Sequence, residues 1–427
     1  MRTIDQIAHF FNDSECFNGG VKVNENLAKH TTMHVGGNAK LFLEPENEES
    51  LVFAIKELKK LDADERRCTR IKSFFVLGGG SNVIISDAGL PLVISTRKMN
   101  GVKLFADELE STDLHGFAQI KGSSNGEKFH TSRDSLCPPK PYEHSSSGDS
   151  LKSRCDFLTL PICEEFKILQ IDSGSSWGSV ISFCKKENLG GFEGFTGLSG
   201  TVGGALFMNA TCFGLSACDN LISVRYFDLT DGKIHEYQKN EADWGYKKSP
   251  FQNLLTTDYA DYTDSSEGGV AGLSPQRGER ATKCERGERL LPLPLLTAKI
   301  ILSAKFFVTT GFDSEKSEKC MNDRKEKGHF RAPSAGSAFK NDAANGIIAG
   351  KIIDECGLKG FSVGGAQIAP WHGNFIINPE QKATASDIKK LSDEVKKIVL
   401  EKKGLALENE ILFVEQTKNR DNSQVLC

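Results

Sequence analysis

The segment "RAPSAGSAFKND" holds a serine, Ser337, framed by Gly336 and Ala338 and followed by Phe339, Lys340 and Asn341. Serine and glycine both favour turns, so the stretch reads first as a plain turn. Small neighbours equally suit a reactive hydroxyl that something bulky must approach. The stretch contains no histidine, and a hydrolytic serine needs an activating base within hydrogen-bond reach. Any chemistry at Ser337 is therefore of another kind than nucleophilic hydrolysis.

Three glycine clusters also carry chemical potential. "TTMHVGGNA" contains Gly36 and Gly37; "VLGGGSNVII" contains Gly78, Gly79, Gly80, Ser81 and Asn82; "GFTGLSGTVGGALFMNATCFG" contains Gly197, Ser199, Gly200, Gly203 and Gly204. Successive glycines let backbone N–H groups approach an anion, and Ser, Thr and Asn add donors for phosphate oxygens. No cluster is followed by the GKS or GKT of a nucleotide P-loop, and none has the GxGxxG-helix spacing of a Rossmann turn. Each alone could be a turn. Together they point to a cofactor with several phosphates lying between two domains, and a dinucleotide such as FAD suits that geometry.

The elements that must position these residues follow from periodicity. "AKLFLEP" reads as a strand, "EESLVFAIKELKKLD" as an amphipathic helix, "FFVLGGGSN" as a buried strand ending in a glycine turn, and "LPLVIST" as a further strand. This order predicts a first α/β or α+β unit ending near residue 98. "FKILQIDSGSSWGSVISFCKKENLGGF" reads as strand, turn and helix, the helix closed by Gly190, and "TAKIILSAKFFV" as a strand of the same second unit. The last hundred residues read as α+β, with helices in "IIAGKIIDECGL" and "SDIKKLSDEVKKIVLEKKG" that end in glycine. "GNFIIN" and "EILFVEQ" read as short strands. Two polar stretches, about 104–164 and 254–294, are too rich in Ser, Gly, Pro and charge to bury a core and read as disordered insertions.

Bulk properties set the frame. A chain of 427 residues is long enough for two or three domains. A formal charge of -4 gives no reason to expect nucleic acid as a partner. The 12 cysteines are scattered, without a CxxC pair or a Cys/His cluster, so reduced thiols in a cytoplasm are expected, with no metal site and no disulfide framework. The N-terminus lacks the uninterrupted apolar core of a signal peptide, and "LLPLPLLTAKIILSAKFFV" is broken by proline and lysine and makes a poor membrane span.

At this point the motifs carry a resemblance. "NLAKHTTMHVGGNA", "VLGGGSNVIISDAG", "GFTGLSGTVGGALFMNA", "GYKKSPFQ", "AGSAFKN", "GLKGFSVGGAQIAPWHGNFIIN" and "LENEILFV" occur in the order seen in UDP-N-acetylenolpyruvoylglucosamine reductases. The chain resembles the subgroup that lacks the long tyrosine-bearing loop. The resemblance implies an α+β protein: a two-domain FAD-binding fold of the vanillyl-alcohol oxidase/PCMH type plus a C-terminal α+β substrate domain. It divides the chain into 1–98 and 99–308, two FAD-binding subdomains, and 309–427, a substrate domain whose last strand returns to the FAD-binding region. It also implies a cytoplasmic monomer with non-covalently bound FAD, NADPH as electron donor and a UDP-sugar substrate, acting in peptidoglycan precursor synthesis.

The same resemblance assigns roles. Hydride reaches the methylene carbon of an enolpyruvyl ether, negative charge develops on the adjacent carbon and its carboxylate, and that carbon needs a proton. Ser337 matches the proton-donating serine, with Gly336 and Ala338 leaving room beside it. Glu410 matches the acidic residue near the developing charge, chosen over Glu408 by motif register; as a protonated acid it could share charge through a hydrogen bond. Lys247 stands where the family usually has arginine, and lysine keeps the charge but loses the planar fork. Lys248, Arg225 and Arg331 are the alternative cations. The three glycine clusters would bind the cofactor, with Ser199 where a proline is usual. Tyr246, Lys340, Asn341, Gln367, His372 and Asn374 would line the substrate site.

Overall fold

The computed structural model describes residues 3–63, 74–105, 166–252, 298–342 and 347–415. The two expected insertions lie almost wholly outside the described residues. The first unit is a four-stranded sheet in the order Gly19–Asn26, Asn38–Pro45, Leu90–Ser95, Phe75–Leu77. Its first pair is antiparallel and the other two pairs are parallel. The parallel strands read as nearly continuous apolar runs, as strands covered on both faces do. Helices Ile4–Asp13 and Glu48–Ala63 cover one face, burying Ile7, Phe11, Leu51 and Ile55 with Leu41, Leu43, Leu92 and Ile94. Phe227, Ile300 and Leu302 of the next unit join this core, so the two units pack as one body.

The second unit is an antiparallel sheet ordered Lys233–Gln238, Leu221–Asp228, Lys299–Thr310, Phe166–Asp172, Val102–Phe105. Helix Trp177–Lys186 starts at Ser176, whose side chain accepts from the Ser179 N–H, the usual service of a serine at a helix start. It ends at Lys186, earlier than the expected Gly190. Asn188 takes the left-handed conformation (φ 52°), and Leu189–Gly190 pairs with Lys299–Thr310 as a short strand. Trp177, Phe192, Phe195 and Phe306 fill the core beneath, with centroids 4.2 Å apart for Trp177 and Phe195.

The third unit is a small antiparallel sheet, Ser334–Ser337, Phe375–Ile377, Ala366–Ile368, Ser362–Val363, with helices Ala349–Glu355 and Ala385–Lys403, while helix Ser314–Glu326 packs on Glu193–Phe195 of the second unit. Its core takes in Met33, Val35 and Ile84 from the first unit. Asp87 accepts hydrogen bonds from the Ala385 and Ser386 N–H groups at 2.8 and 3.1 Å, capping the longest helix from across the junction. The chain then returns: Leu412–Val414 pairs in parallel with Val83–Ile85, directly after the second glycine cluster. First and third units therefore share a core, a helix cap and a strand pair. Among the described residues no helix is long and apolar enough to cross a membrane.

Candidate active site

A cavity of about 840 Å³ runs through the junction of the three units. One wall is the turn Gly78–Asn82, which follows the buried strand Phe75–Leu77, and the facing wall is Gly197–Gly204. The walls meet so closely that a Cβ on Gly79 would stand 2.4 Å from the Gly200 Cα, a separation that only glycine permits. Gly80 adopts φ 65°, which lets the chain reverse against the His30 carbonyl. The Ser81 hydroxyl donates to the Ser199 carbonyl at 3.2 Å and latches the two turns together. Asn82 donates to the Glu410 carbonyl at 3.1 Å, tying this turn to the returning strand. The first cluster is used differently from the sequence expectation. Gly36 and Gly37 do not line the cavity; a Cβ on Gly37 would lie 2.3 Å from the Asp87 carbonyl, so this pair serves loop packing. Thr32 and His34 from the same loop reach the cavity instead.

Ser337, Lys247 and Glu410 all line one end of the cavity. Ser337 closes strand Ser334–Ser337 opposite Phe375, and among the described residues its side chain has no hydrogen-bond partner. The segment after it runs beside the returning chain: Glu410 donates its N–H to the Ala338 carbonyl at 2.8 Å, and Lys340 donates to Glu408 at 2.9 Å. This pairing carries Glu410 into the cavity and turns Glu408 outward, where it holds Lys340 at 3.1 Å. Ala338 is buried in the third unit's core, so it is a packing residue, whereas Gly336 (φ 75°) faces open space. Of the two glutamates, Glu410 lines the cavity and Glu408 does not.

Lys247 lies on a tight turn in which Gly245 and Lys248 exchange backbone hydrogen bonds at 3.2 and 3.1 Å. It adopts φ 55°, an uncommon conformation for a side-chain-bearing residue and one often held at functional sites. Asn209, itself left-handed at the end of helix Val202–Met208, anchors the turn by donating to the Gly245 carbonyl at 2.8 Å. The Lys247 ammonium pairs with Glu410 at 2.6 Å, both side chains only 12–13 % exposed. Of the alternative cations, Lys248 is exposed away from the cavity and Arg225 is committed to Glu48 by two hydrogen bonds of 2.9 and 2.8 Å. Arg331 does line the cavity, with its guanidinium 5.4 Å from the Trp371 ring.

The expected substrate residues divide. Tyr246 is 54 % exposed at the cavity edge and its hydroxyl accepts the Asn341 N–H at 3.2 Å, so the two meet across the mouth. Asn341 also lines the cavity, while its side chain accepts from the Ala349 N–H at 3.0 Å. The structure does not bring Lys340, Gln367, His372 or Asn374 to the cavity. Gln367 donates to the Gly360 carbonyl at 3.1 Å within its own hairpin. Burial pushes His372 below the usual histidine range, and its ring stacks on Phe375 with centroids 3.9 Å apart. Asn374 is buried and grips Phe339 on both sides, accepting its N–H and donating to its carbonyl, each at 2.9 Å. Its side chain holds the serine-bearing segment in place.

Two cavity residues carry a signal that no motif gave. Ser173 Oγ and Arg324 Nη2 are buried polar atoms without a protein partner, and both residues line the cavity. Orphaned buried groups are rare in folded proteins, and here both lie behind the Gly197–Gly204 wall. The cavity wall holds Lys247, Lys299, Arg324 and Arg331 against one carboxylate, Glu410, which favours anionic occupants. His329 adds no charge near neutrality, because burial, then the Arg324 guanidinium, pushes its pKa down to about 4. Among the described residues no cluster of His, Cys, Asp and Glu could hold a metal ion.

Two packed units that face each other through glycine turns, closed at one end by a third unit bearing Ser337 and Glu410, define a two-lobed cofactor-binding fold with a separate substrate lobe. The same fold is found in a UDP-N-acetylenolpyruvylglucosamine reductase from Thermus caldophilus, 24% identical, with a TM-score of 0.53 over 93% of this chain and 99% of that one. Residues 328–414 match the C-terminal domain of UDP-N-acetylenolpyruvoylglucosamine reductase. The reductase of Treponema denticola is 33% identical over 384 residues, 88% of each chain. That of Treponema pallidum is 30% identical over 404 residues, 86% of each chain. The chain belongs to the UDP-N-acetylenolpyruvoylglucosamine reductase family.

Proposed function

We infer that this chain reduces the enolpyruvyl ether of UDP-N-acetylglucosamine to the lactyl ether, giving UDP-N-acetylmuramate for peptidoglycan precursor synthesis, with FAD as cofactor and NADPH as electron donor. The observation that carries this reading is the meeting of Ser337, Lys247 and Glu410 at one end of a cavity whose other walls are the two glycine turns. The cavity suits FAD: Phe75, Val76, Leu229 and Ile300 offer an apolar stretch, and the glycine turns offer backbone N–H groups. When bound, FAD supplies the hydride relay from NADPH to the enolpyruvyl methylene.

The chain's own residues handle charge and proton. As hydride arrives at the methylene, the electron pair of the double bond moves toward the adjacent carbon and its carboxylate. The Lys247 ammonium has three N–H donors; one is held by Glu410, and the others are free to meet that carboxylate. Glu410 fixes the direction of the ammonium and, at 2.6 Å, shares its charge. The unpartnered Ser337 hydroxyl gives its proton to the adjacent carbon and is reprotonated from solvent, completing addition of one hydride and one proton. Tyr246 and Asn341 close the mouth over the substrate. The units 1–98, 99–308 and 309–427 are the corresponding lobes, in a monomer that binds neither nucleic acid nor membrane.

The test is the absorption spectrum of the purified protein. A yellow protein bleached by NADPH and recoloured by the enolpyruvyl substrate is expected. A folded protein that binds no flavin, or one that NADPH reduces and only oxygen reoxidises, would refute the reading.

A further inference from the structure

Helix Ser314–Glu326 ends in a tight turn that Gly328 makes possible. Gly328 is left-handed (φ 72°), and a Cβ there would stand 2.4 Å from the Trp371 indole nitrogen and 2.9 Å from the Arg331 Cδ. Its carbonyl accepts two hydrogen bonds of 3.2 Å, one from the Arg331 N–H and one from the Trp371 indole N–H. Trp371 stands in the turn between strands Ala366–Ile368 and Phe375–Ile377. One carbonyl thus clamps the arginine to the ring, and the guanidinium lies over that ring at 5.4 Å, within range of a cation–π contact.

Phe330 and Arg331 both line the cavity and both are exposed. Phe330 faces the second glycine wall, where a Cβ on Gly197 would stand 3.3 Å from its ring, and Arg331 faces the third unit's hairpin. The two residues therefore bridge the units at the open edge. The other cations of the wall are committed or hidden. Lys247 is 12 % exposed and paired with Glu410, Arg324 is buried against the Thr196 carbonyl, and Lys299 lies 5.3 Å from the Tyr226 ring. Arg331 forms no ion pair among the described residues. A guanidinium held over a ring by its face keeps its N–H donors for an anion, and its fork matches phosphate oxygens two at a time. Less freedom is then lost when the anion arrives. Both molecules that come and go in each cycle are nucleotides: the UDP-sugar carries a diphosphate, and NADPH carries a diphosphate and a 2′-phosphate.

We propose that Arg331, held over Trp371, is a specificity-determining residue that grips a phosphate group of the nucleotide entering the cavity. The proposal rests on the reading of this cavity as the site of an NADPH-dependent flavin reductase acting on a UDP-sugar.

The test uses the full-length, FAD-loaded protein as Arg331→Met and Arg331→Lys. Stopped-flow absorbance follows flavin bleaching by NADPH or NADH and recolouring by the enolpyruvyl substrate. For Arg331→Met the second-order rate constant of at least one nucleotide falls about tenfold, while the limiting rates at saturation and the flavin content stay those of wild type. A fall for NADPH and not for NADH assigns the 2′-phosphate. An equal fall for both assigns the coenzyme diphosphate, and a fall for the enolpyruvyl substrate assigns the UDP diphosphate. Arg331→Lys returns the charge without the fork and recovers only part of the loss. Wild-type constants for all three nucleotides in Arg331→Met overturn the proposal. So does full recovery in Arg331→Lys, or a loss confined to limiting rates or bound flavin. If Arg331→Met does not fold, a fall of about threefold or more in Arg331→Lys supports the proposal and wild-type constants overturn it. A wild-type protein that NADPH does not bleach would instead refute the functional reading itself.

Discussion

Replacing Ser337 by alanine separates chemistry from architecture, because the structure gives the hydroxyl no architectural task. The side chain is part-buried at the cavity wall and has no hydrogen-bond partner among the described residues. The backbone around it is held by other groups: Ser337 pairs with Phe375, Ala338 donates to the Asn374 carbonyl at 2.8 Å, and Asn374 grips Phe339. Removing one hydroxyl from such a place changes unfolding free energy by no more than about 0.5 kcal/mol. A positioned general acid contributes roughly 10²–10⁴-fold, so turnover falls by that factor, a barrier increase of about 3–5 kcal/mol. Stopped-flow absorbance separates the two half-reactions. Reduction by NADPH needs no proton from Ser337 and keeps its rate, whereas reoxidation by the enolpyruvyl substrate slows. Equal slowing of both halves, or a variant as fast as wild type, would refute the assignment; equal slowing with lost stability would make Ser337 a structural residue.

Three further outcomes are expected. Lys247→Met and Glu410→Gln each lower kcat/KM by about 100-fold, and the double variant is no worse than the poorer single one, since residues acting as a unit are non-additive; additive losses would show that the 2.6 Å pair does not act as one device. Gly79→Ala forces the two glycine walls apart and weakens FAD binding at least tenfold by fluorescence titration, in line with about 1–3 kcal/mol for overpacking; unchanged affinity would place the cofactor elsewhere. Stability falls as pH drops from about 6.5 to about 4, because the unfolded chain protonates His329 near its ordinary value while the folded chain holds it neutral until about 4. After discounting for its partial exposure, the contribution is about 1–2 kcal/mol. Denaturant titrations of wild type and His329→Gln at pH 7 and pH 4.5 read it as a smaller loss in the variant.

Much of this site was legible in the sequence wherever local chemistry and tertiary use coincide. "FFVLGGGSN" is such a case: an apolar run ends in three glycines, and the strand Phe75–Leu77 does deliver that turn to the cavity. "TTMHVGGNA" looks the same and is not, because a glycine pair reports only that a Cβ is unwelcome. In Gly37 the obstacle is the Asp87 carbonyl of a neighbouring loop. "WHGN" misleads for a related reason. A polar residue beside a substrate motif can bond the motif itself, as Asn374 bonds Phe339, and no spacing rule distinguishes that from bonding a ligand. Arg324 was illegible in the opposite sense. Its helix is not among the elements read from the sequence, and the packing of Ser314–Glu326 against Glu193–Phe195 is what buries Ser317, Cys320 and Arg324 on one face.

The lysine at position 247 does a different job from the arginine that the family usually has there. An arginine fork recognises a carboxylate by two parallel hydrogen bonds and brings a charge that nothing nearby cancels. Lys247 cannot provide the first, and its pairing with Glu410 at 2.6 Å diminishes the second. What it does provide is direction, because the left-handed turn, the Asn209 anchor and the glutamate together fix where a single point charge sits.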